Sequence, residues 1–85
     1  MHEVVFTKQA DRALRRMPAV DAQRIRAKID RIAADPHATH RNVTRLQKTP
    51  AFRLRVGDWR VIYEIDGHQL RILVLKIGPR GGVYK

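Results

Sequence analysis

Basic and apolar residues alternate in the last third of the chain, in a pattern suited to holding phosphate groups. Residues 52–56 have the sequence FRLRV, and residues 59–65 have the sequence WRVIYEI. Alternation with a period of two predicts two strands, each with one buried face. If residues 57–58, a glycine and an aspartate, form a two-residue hairpin turn, Arg55 lies directly opposite Arg60.

The predicted hairpin separates basic residues from apolar ones. We expect Arg53, Arg55 and Arg60 to share one face of the sheet. The residues expected on the other face are all apolar or aromatic: Phe52, Leu54, Val56, Trp59, Val61 and Tyr63. Like charges that face each other across a sheet destabilise it, so this arrangement contributes nothing to folding. A bound polyanion would offset the repulsion, and the basic face is therefore predicted to bind phosphates.

The composition favours nucleic acid as a partner. The 85 residues include 18 Lys+Arg against 8 Asp+Glu, a net charge of +10, and 13 of the basic residues are arginines. Arginine presents a planar, permanently charged fork that binds phosphate through two hydrogen bonds. A basic surface that serves only solubility is the alternative interpretation of the charge taken alone.

Residue types that the chain lacks exclude several kinds of chemistry. There is no cysteine for disulfides, thiolate zinc sites or thiol nucleophiles, and no serine for a Ser-His-Asp triad. His37 and His40 are spaced as a metal pair could be, but nothing around them supplies further ligands, and we expect no metal or cofactor. No apolar run is long enough to cross a bilayer, so we expect a cytoplasmic protein in which residues 1–85 form one domain.

Two helices are predicted upstream of the hairpin. Residues 3–6 are expected to form a first strand, and Thr7 can cap a helix that ends at Pro18. Asp21 can cap a second helix, which residues 35–36, Asp-Pro, would close. The second helix carries one apolar stripe, made of Ala22, Ile25, Ile29, Ile32 and Ala33. Such a helical hairpin must bury its stripe, and the apolar face of the sheet is the natural partner.

The remaining segments complete an α+β fold. Residues 37–50 are predicted to be a polar connector, in which 43–46 could add a short extended piece. Three strands are expected to follow, at 51–56, 59–65 and 69–77. In the last strand we expect Leu70, Ile72 and Val74 on the face of Tyr63, and Leu73, Leu75 and Ile77 on the opposite face. The order β-α-α-β-β-β predicts a helical hairpin on one face of a small, mainly antiparallel sheet.

This order and two motifs resemble the RelE branch of the RelE/ParE toxin superfamily over nearly the whole chain. The motifs are FRLRVGDWRVIYEI at residues 52–65 and IGPRGGVY at residues 77–84, and the Arg-x-x-Val-Tyr ending favours RelE over ParE. The resemblance implies a toxin of a type II toxin–antitoxin pair that cleaves messenger RNA in the ribosomal A site. The implied endoribonuclease needs no metal and leaves a 2′,3′-cyclic phosphate.

The resemblance also implies roles for five residues. Tyr84 matches the general base of the family, and Arg80 matches the arginine that acts as its acid. Arg60 matches the arginine of the hairpin motif, and Arg53 and Arg55 stand where well-known members have lysines. Because arginine gives up a proton less readily than lysine, Arg53 and Arg55 are expected to stabilise charge.

Structural roles compete with these chemical ones. The phenol of tyrosine, with an ordinary pKa of ~10, becomes a useful base only when nearby arginines lower that value, and Tyr84 could instead serve terminal packing. Arg80 could cap the end of the sheet. Arg71 is expected to pair with Glu64 across two strands. The aromatic rings of the hairpin, those of Phe52, Trp59 and Tyr63, are expected to pack in the core rather than to stack on bases.

The resemblance implies partners as well. The antitoxin of such a pair wraps the toxin with a segment that folds on binding, and the complex binds operator DNA through the antitoxin. The basic helix faces would meet ribosomal RNA. Two alternatives stay open: a ParE-like inhibitor of DNA gyrase that cuts nothing, and a degenerate member without catalytic activity.

Overall fold

The computed structural model describes residues 1–81, which form two helices on one face of a five-stranded sheet. The elements are β1 Glu3–Phe6, α1 Lys8–Arg16, α2 Ala19–Ala34, β2 Val43–Arg45, β3 Phe52–Val56, β4 Trp59–Asp66 and β5 Arg71–Pro79. The strands are ordered β1-β5-β4-β3-β2, and only β1 and β5 are parallel among the paired strands. The predicted α+β architecture is confirmed, with β2 as an additional short edge strand.

The sequence predicted an N-cap residue for each helix, and only the prediction for α1 is confirmed. The hydroxyl of Thr7 accepts a hydrogen bond from the backbone N–H of Ala10 (3.2 Å), which caps α1. The prediction that Asp21 caps α2 is wrong, because Pro18 occupies the N-cap position. Proline is well suited to a helix start because it has no N–H and its φ is already helical. Asp21 lies in the first turn instead, where its carboxylate accepts a hydrogen bond from Trp59 Nε1 (3.2 Å).

The apolar stripe of α2 packs on the sheet as expected. Ile25, Ile29, Ile32 and Ala33 are buried, in one cluster with the inward side chains of the sheet. Tyr63 is the largest fully buried side chain, and its ring stacks on that of Phe52 with 5.4 Å between the centroids. The predicted core role of the hairpin aromatics is confirmed. Among residues 1–81, no helix is both long and apolar enough to span a membrane.

A bulge in β5 changes the side-chain alternation that the sequence predicted. Ile62 pairs with Lys76 and Tyr63 pairs with Val74, so Leu75 is an extra residue without a partner in β4. Because of this extra residue, Val74 and Ile77 lie on the same face of the sheet although they are three positions apart. Ile77 lies in the main core, not on the opposite face as predicted.

The opposite face carries a second, smaller apolar cluster. Leu75 and Leu46 pack there against Ala51 and Ile62. Leu70 does not continue the core face as predicted, because it lies in the β4–β5 turn with a φ of 53° and is 58% exposed.

Beyond the end of β1, side chains at the start of α1 form hydrogen bonds with the backbone of β5 in place of a further strand. The hydroxyl of Thr7 donates to the carbonyl of Leu75 (2.6 Å). The amide of Gln9 both donates to the carbonyl of Ile77 and accepts from its N–H, each at 2.9 Å. These bonds satisfy the edge of β5 beyond the bulge and fix the end of that strand beside the hairpin turn.

Candidate functional site

The β3–β4 hairpin has the register that the sequence predicted. Val56 pairs with Trp59 and Arg55 pairs with Arg60, so residues 57–58 form the turn. Gly57 has a φ of 58°, a conformation that glycine adopts without strain and other residues avoid. The hairpin therefore sets two guanidinium-bearing residues directly across from each other.

The side chain of Arg60 is held by the backbone of its own hairpin. Its Nη1 donates to the carbonyl oxygens of Gly57 and Trp59, each at 3.0 Å. These carbonyls carry no net charge, so they orient the guanidinium without neutralising it. Arg60 is half-buried, and its position is therefore fixed before any ligand arrives.

Arg55 is exposed, and Asn42, which directly precedes the edge strand β2, supports it. Its backbone N–H donates to the carbonyl of Asn42 (2.9 Å), and its Nη2 lies 3.5 Å from Asn42 Oδ1. Asn42 has a left-handed φ of 66°, which asparagine tolerates better than most residues. This supporting role was not predicted from the sequence, although an asparagine just before an extended piece is a signal for such a turn.

Arg80 and Arg53 complete the predicted set within the described residues. The N–H of Arg80 donates to the carbonyl of Asp58 (2.8 Å), which ties Arg80 to the hairpin turn. Arg53 lies two residues before Arg55 in β3, on the same face, and is half-buried. Tyr84, the fifth predicted site residue, lies outside the described residues. Its role stays a prediction.

Arg55, Arg60 and Arg80 form no ion pair with a carboxylate of residues 1–81. Residues 1–81 contain two ion pairs, Arg15 with Asp11 at 3.1 Å and Arg71 with Asp66 at 3.8 Å. Neither pair includes Arg55, Arg60 or Arg80. Such concentrated positive charge attracts an anion, and phosphate fits the guanidinium fork. We call the surface formed by Arg53, Arg55, Arg60 and Arg80 the arginine face.

Other predicted contacts were tested by the structure. The expected pairing of Arg71 with Glu64 is wrong: Arg71 lies opposite Asp66, and Glu64 lies opposite Leu73. Burial raises the pKa of Tyr63 to about 12, which removes this phenol from the candidates for a base at neutral pH. No group of three or more His, Asp or Glu residues in the described part of the chain could hold a metal ion.

A groove with a basic rim lies on the helix side of the same sheet end. Its volume is about 500 Å³, and its apolar lining includes Met17, Trp59 and Ile77. Three exposed cations of α1 border it, namely Lys8, Arg12 and Arg16. These three cations were not singled out from the sequence, although their spacing of four residues places them in one row.

Comparisons with known proteins agree with this fold. The family model described as the ParE toxin of the type II toxin–antitoxin system, parDE, matches residues 4–84. The toxin in the archaeal RelE–RelB complex from Pyrococcus horikoshii is similar, with 30% identity, coverage of 95% of this chain and 97% of that chain, and a TM-score of 0.81.

Two more distant structures share the fold. A chain of the intact RelBE toxin–antitoxin complex from E. coli is 15% identical, over 93% of this chain and 96% of that one, with a TM-score of 0.80. A YoeB/ParE toxin from Agrobacterium tumefaciens is 18% identical, over 92% and 98%, with a TM-score of 0.79. No curated protein sequence matches this chain significantly.

Proposed function

This chain belongs to the RelE/ParE family of type II toxin–antitoxin toxins, and we propose that it is an endoribonuclease that cleaves messenger RNA on the ribosome. The observation that carries the proposal is the cross-strand pair of Arg55 and Arg60, neither of which forms an ion pair with a carboxylate of residues 1–81. A gyrase inhibitor that acts through protein contacts has no need to place two guanidinium groups opposite each other. A ribonuclease that must bind a scissile phosphate does need such an arrangement.

The arginine face would act by stabilising charge that develops on the phosphate. Arg60 is fixed by two carbonyl oxygens, so little reorganisation is needed when a phosphate oxygen becomes more negative. Arg55 can approach the same phosphate from the opposite strand, and Arg53 extends the positive surface along β3. This supply of fixed positive charge is why the proposed reaction uses no metal.

The proposed reaction is a transfer of the phosphoryl group within the RNA chain. The 2′-oxygen attacks the adjacent phosphorus, and the bond from phosphorus to the 5′-oxygen breaks, which leaves a 2′,3′-cyclic phosphate and a 5′-hydroxyl. We assign Tyr84 to accept the proton of the 2′-hydroxyl, with its phenolate stabilised by nearby arginines. Arg80, tied to the hairpin turn, is assigned to the leaving 5′-oxygen, as the protonating group in this scheme.

The proposed setting is the cytoplasm, with an antitoxin as the controlling partner. The similar toxin from P. horikoshii was crystallised with RelB, which supports a RelB-like antitoxin for this chain. Such an antitoxin would cover the toxin and carry any contact with operator DNA. The ribosome and messenger RNA are the proposed targets once the antitoxin is gone.

Inhibition of DNA gyrase is the second candidate function. It is favoured by the match of residues 4–84 to the family model of ParE toxins. In that case the arginine face would have no part in a phosphoryl transfer, and the chain would leave messenger RNA intact.

One experiment separates the two candidates. The purified chain is added to ribosomes programmed with a defined messenger RNA, and in parallel to a gyrase supercoiling reaction. We expect new messenger-RNA 5′ ends at the A-site codon, cyclic phosphate on the upstream fragment, and unchanged supercoiling. Intact messenger RNA together with blocked supercoiling would replace the ribonuclease proposal by the gyrase one.

A further inference from the structure

A small basic pocket lies between α2 and the connector that leads to β2. Its volume is about 70 Å³, and its lining consists of Lys28, Arg31, Ile32, His40, Arg41 and Leu54. The two apolar members belong to the core and form a rigid base. Every other lining residue is basic, and none is acidic. The pocket is therefore a second concentration of positive charge, apart from the arginine face.

The cations of this pocket have no partner that explains their positions. Within residues 1–81, the side chains of Lys28, Arg31 and Arg41 form no ion pair and no hydrogen bond. Arg31 lies in the last turn of α2, where a cation is favourable to the helix dipole. The helix dipole does not account for Lys28, which lies earlier in the helix, or for Arg41, which lies in the connector.

The histidine of the pocket is held in one orientation. His40 Nε2 lies 2.6 Å from the carbonyl oxygen of Asp35. A carbonyl oxygen can only accept, so Nε2 carries the proton, and the ring is fixed against the end of α2. This bond anchors the connector and thereby places Arg41 beside the helix.

Asn42 links the pocket to the arginine face. Asn42 follows Arg41 in the chain, and it is also the residue that supports Arg55 through the bonds of 2.9 and 3.5 Å. The strand at that edge of the sheet, Val43–Arg45, carries no acidic residue that would repel a polyanion extending from one surface to the other.

We propose that this pocket binds one backbone phosphate of the RNA strand whose scissile phosphate lies on the arginine face. The inference rests on the proposed function, because it extends the same substrate beyond the reacting bond. The pocket is small, and the guanidinium and ammonium groups that line it suit a phosphate group. The pocket would hold the strand in register without reading its sequence.

The test compares Arg41→Gln with Arg15→Gln, which removes the same charge from a residue that is 77% exposed on α1 and paired with Asp11. The probe is a single-stranded, 2′-O-methylated oligonucleotide, which cannot be cleaved, and its affinity is measured against salt concentration. Arg41→Gln should weaken binding by about 5- to 10-fold at low salt. It should also reduce the slope of log K against log salt by ~0.7, the loss of one phosphate contact, whereas Arg15→Gln should leave the slope unchanged.

A titration of the isotopically labelled wild-type chain locates the contact. Inorganic phosphate and the oligonucleotide should both shift the amide signals of residues 40 and 41. Equal slopes for both variants and the wild type would overturn the proposal, and so would shifts caused by phosphate but not by the oligonucleotide. Because no readout depends on cleavage, a chain that binds RNA here but cuts nothing would contradict the proposed function and leave this inference standing.

Discussion

Arginine is abundant on both the β3–β4 hairpin and the two helices, but the two regions hold it differently. On the hairpin, Arg60 is fixed by two backbone carbonyls and lies opposite Arg55. On the helices, Arg15 is neutralised by Asp11, and Arg26 lies over the ring of Phe6, 5.4 Å from its centroid. Charge that is fixed and unneutralised can stabilise a reacting phosphate, whereas paired or mobile surface charge adds mainly long-range attraction.

The largest effect is expected at Tyr84, the residue assigned as general base. Tyr84→Phe removes one hydroxyl, and because general bases contribute ~10²–10⁴-fold, single-turnover cleavage on programmed ribosomes should fall by that factor. Ribosome affinity and antitoxin binding should be preserved, and both serve as controls. Undiminished cleavage would assign the base to another group, and undiminished toxicity with intact messenger RNA would favour the gyrase alternative.

The two tyrosines of the chain should differ in their response to alkaline pH. Tyr63 is buried, and its pKa of about 12 lies above the ordinary value of 10, so the folded state keeps the proton that the unfolded state loses. The associated stability is fully present below pH 10 and is lost as the pH rises towards 12. A shift of about two pKa units corresponds to ~2–3 kcal/mol in the free energy of unfolding.

Urea unfolding of wild type and Tyr63→Phe between pH 9 and pH 12 measures this effect. The stability of the wild type should fall more steeply with pH than that of the variant, which cannot ionise at this position. Parallel curves would contradict the buried, neutral phenol. A Tyr84→Phe chain is the matched control, because loss of that hydroxyl should leave the steep fall of the wild type in place.

A smaller effect is expected when the turn of the hairpin is strained. Gly57→Val places a β-branched residue at a φ of 58°, which costs ~1–2 kcal/mol in stability although no atom lies within 4 Å of the added Cβ. Gly57→Asn is the control, since asparagine tolerates this conformation. Thermal unfolding should rank the wild type above Asn and Asn above Val. Equal melting temperatures would show that the backbone of the turn adapts.

The hairpin could be predicted from the sequence because its information is local. The period-two pattern of residues 52–56 and the two-residue turn together define the register that sets Arg55 opposite Arg60. Thr7 as a helix cap and the stripe of α2 are similarly local patterns, and both are confirmed.

Other features depend on contacts between distant segments, and the sequence did not reveal them. The bulge at Leu75 is hidden in an apolar run in which either register buries good residues, so the face of Ile77 was predicted wrongly. The partner of Arg71 was predicted wrongly because the turn between β4 and β5 spans residues 67–70, which sets Arg71 opposite Asp66. Asp21 was available as a cap, but Pro18 began the helix one turn earlier. The small basic pocket joins α2 to the connector, and no spacing rule brings Arg41 to Lys28.

The contrast between the fixed arginine of the hairpin and the paired arginine of the helix is tested most directly by single-turnover cleavage with Arg60→Ala and Arg15→Ala. Each variant loses one guanidinium, from the arginine face in one case and from the helix surface in the other. Loss of one fixed electrostatic donor typically costs ~10²–10³ in rate, so we expect that loss for Arg60→Ala at an unchanged melting temperature. Arg15→Ala should cleave within about 2-fold of the wild type, because its charge is exposed and paired. Wild-type cleavage by a folded Arg60→Ala chain would contradict the assignment of the arginine face to catalysis.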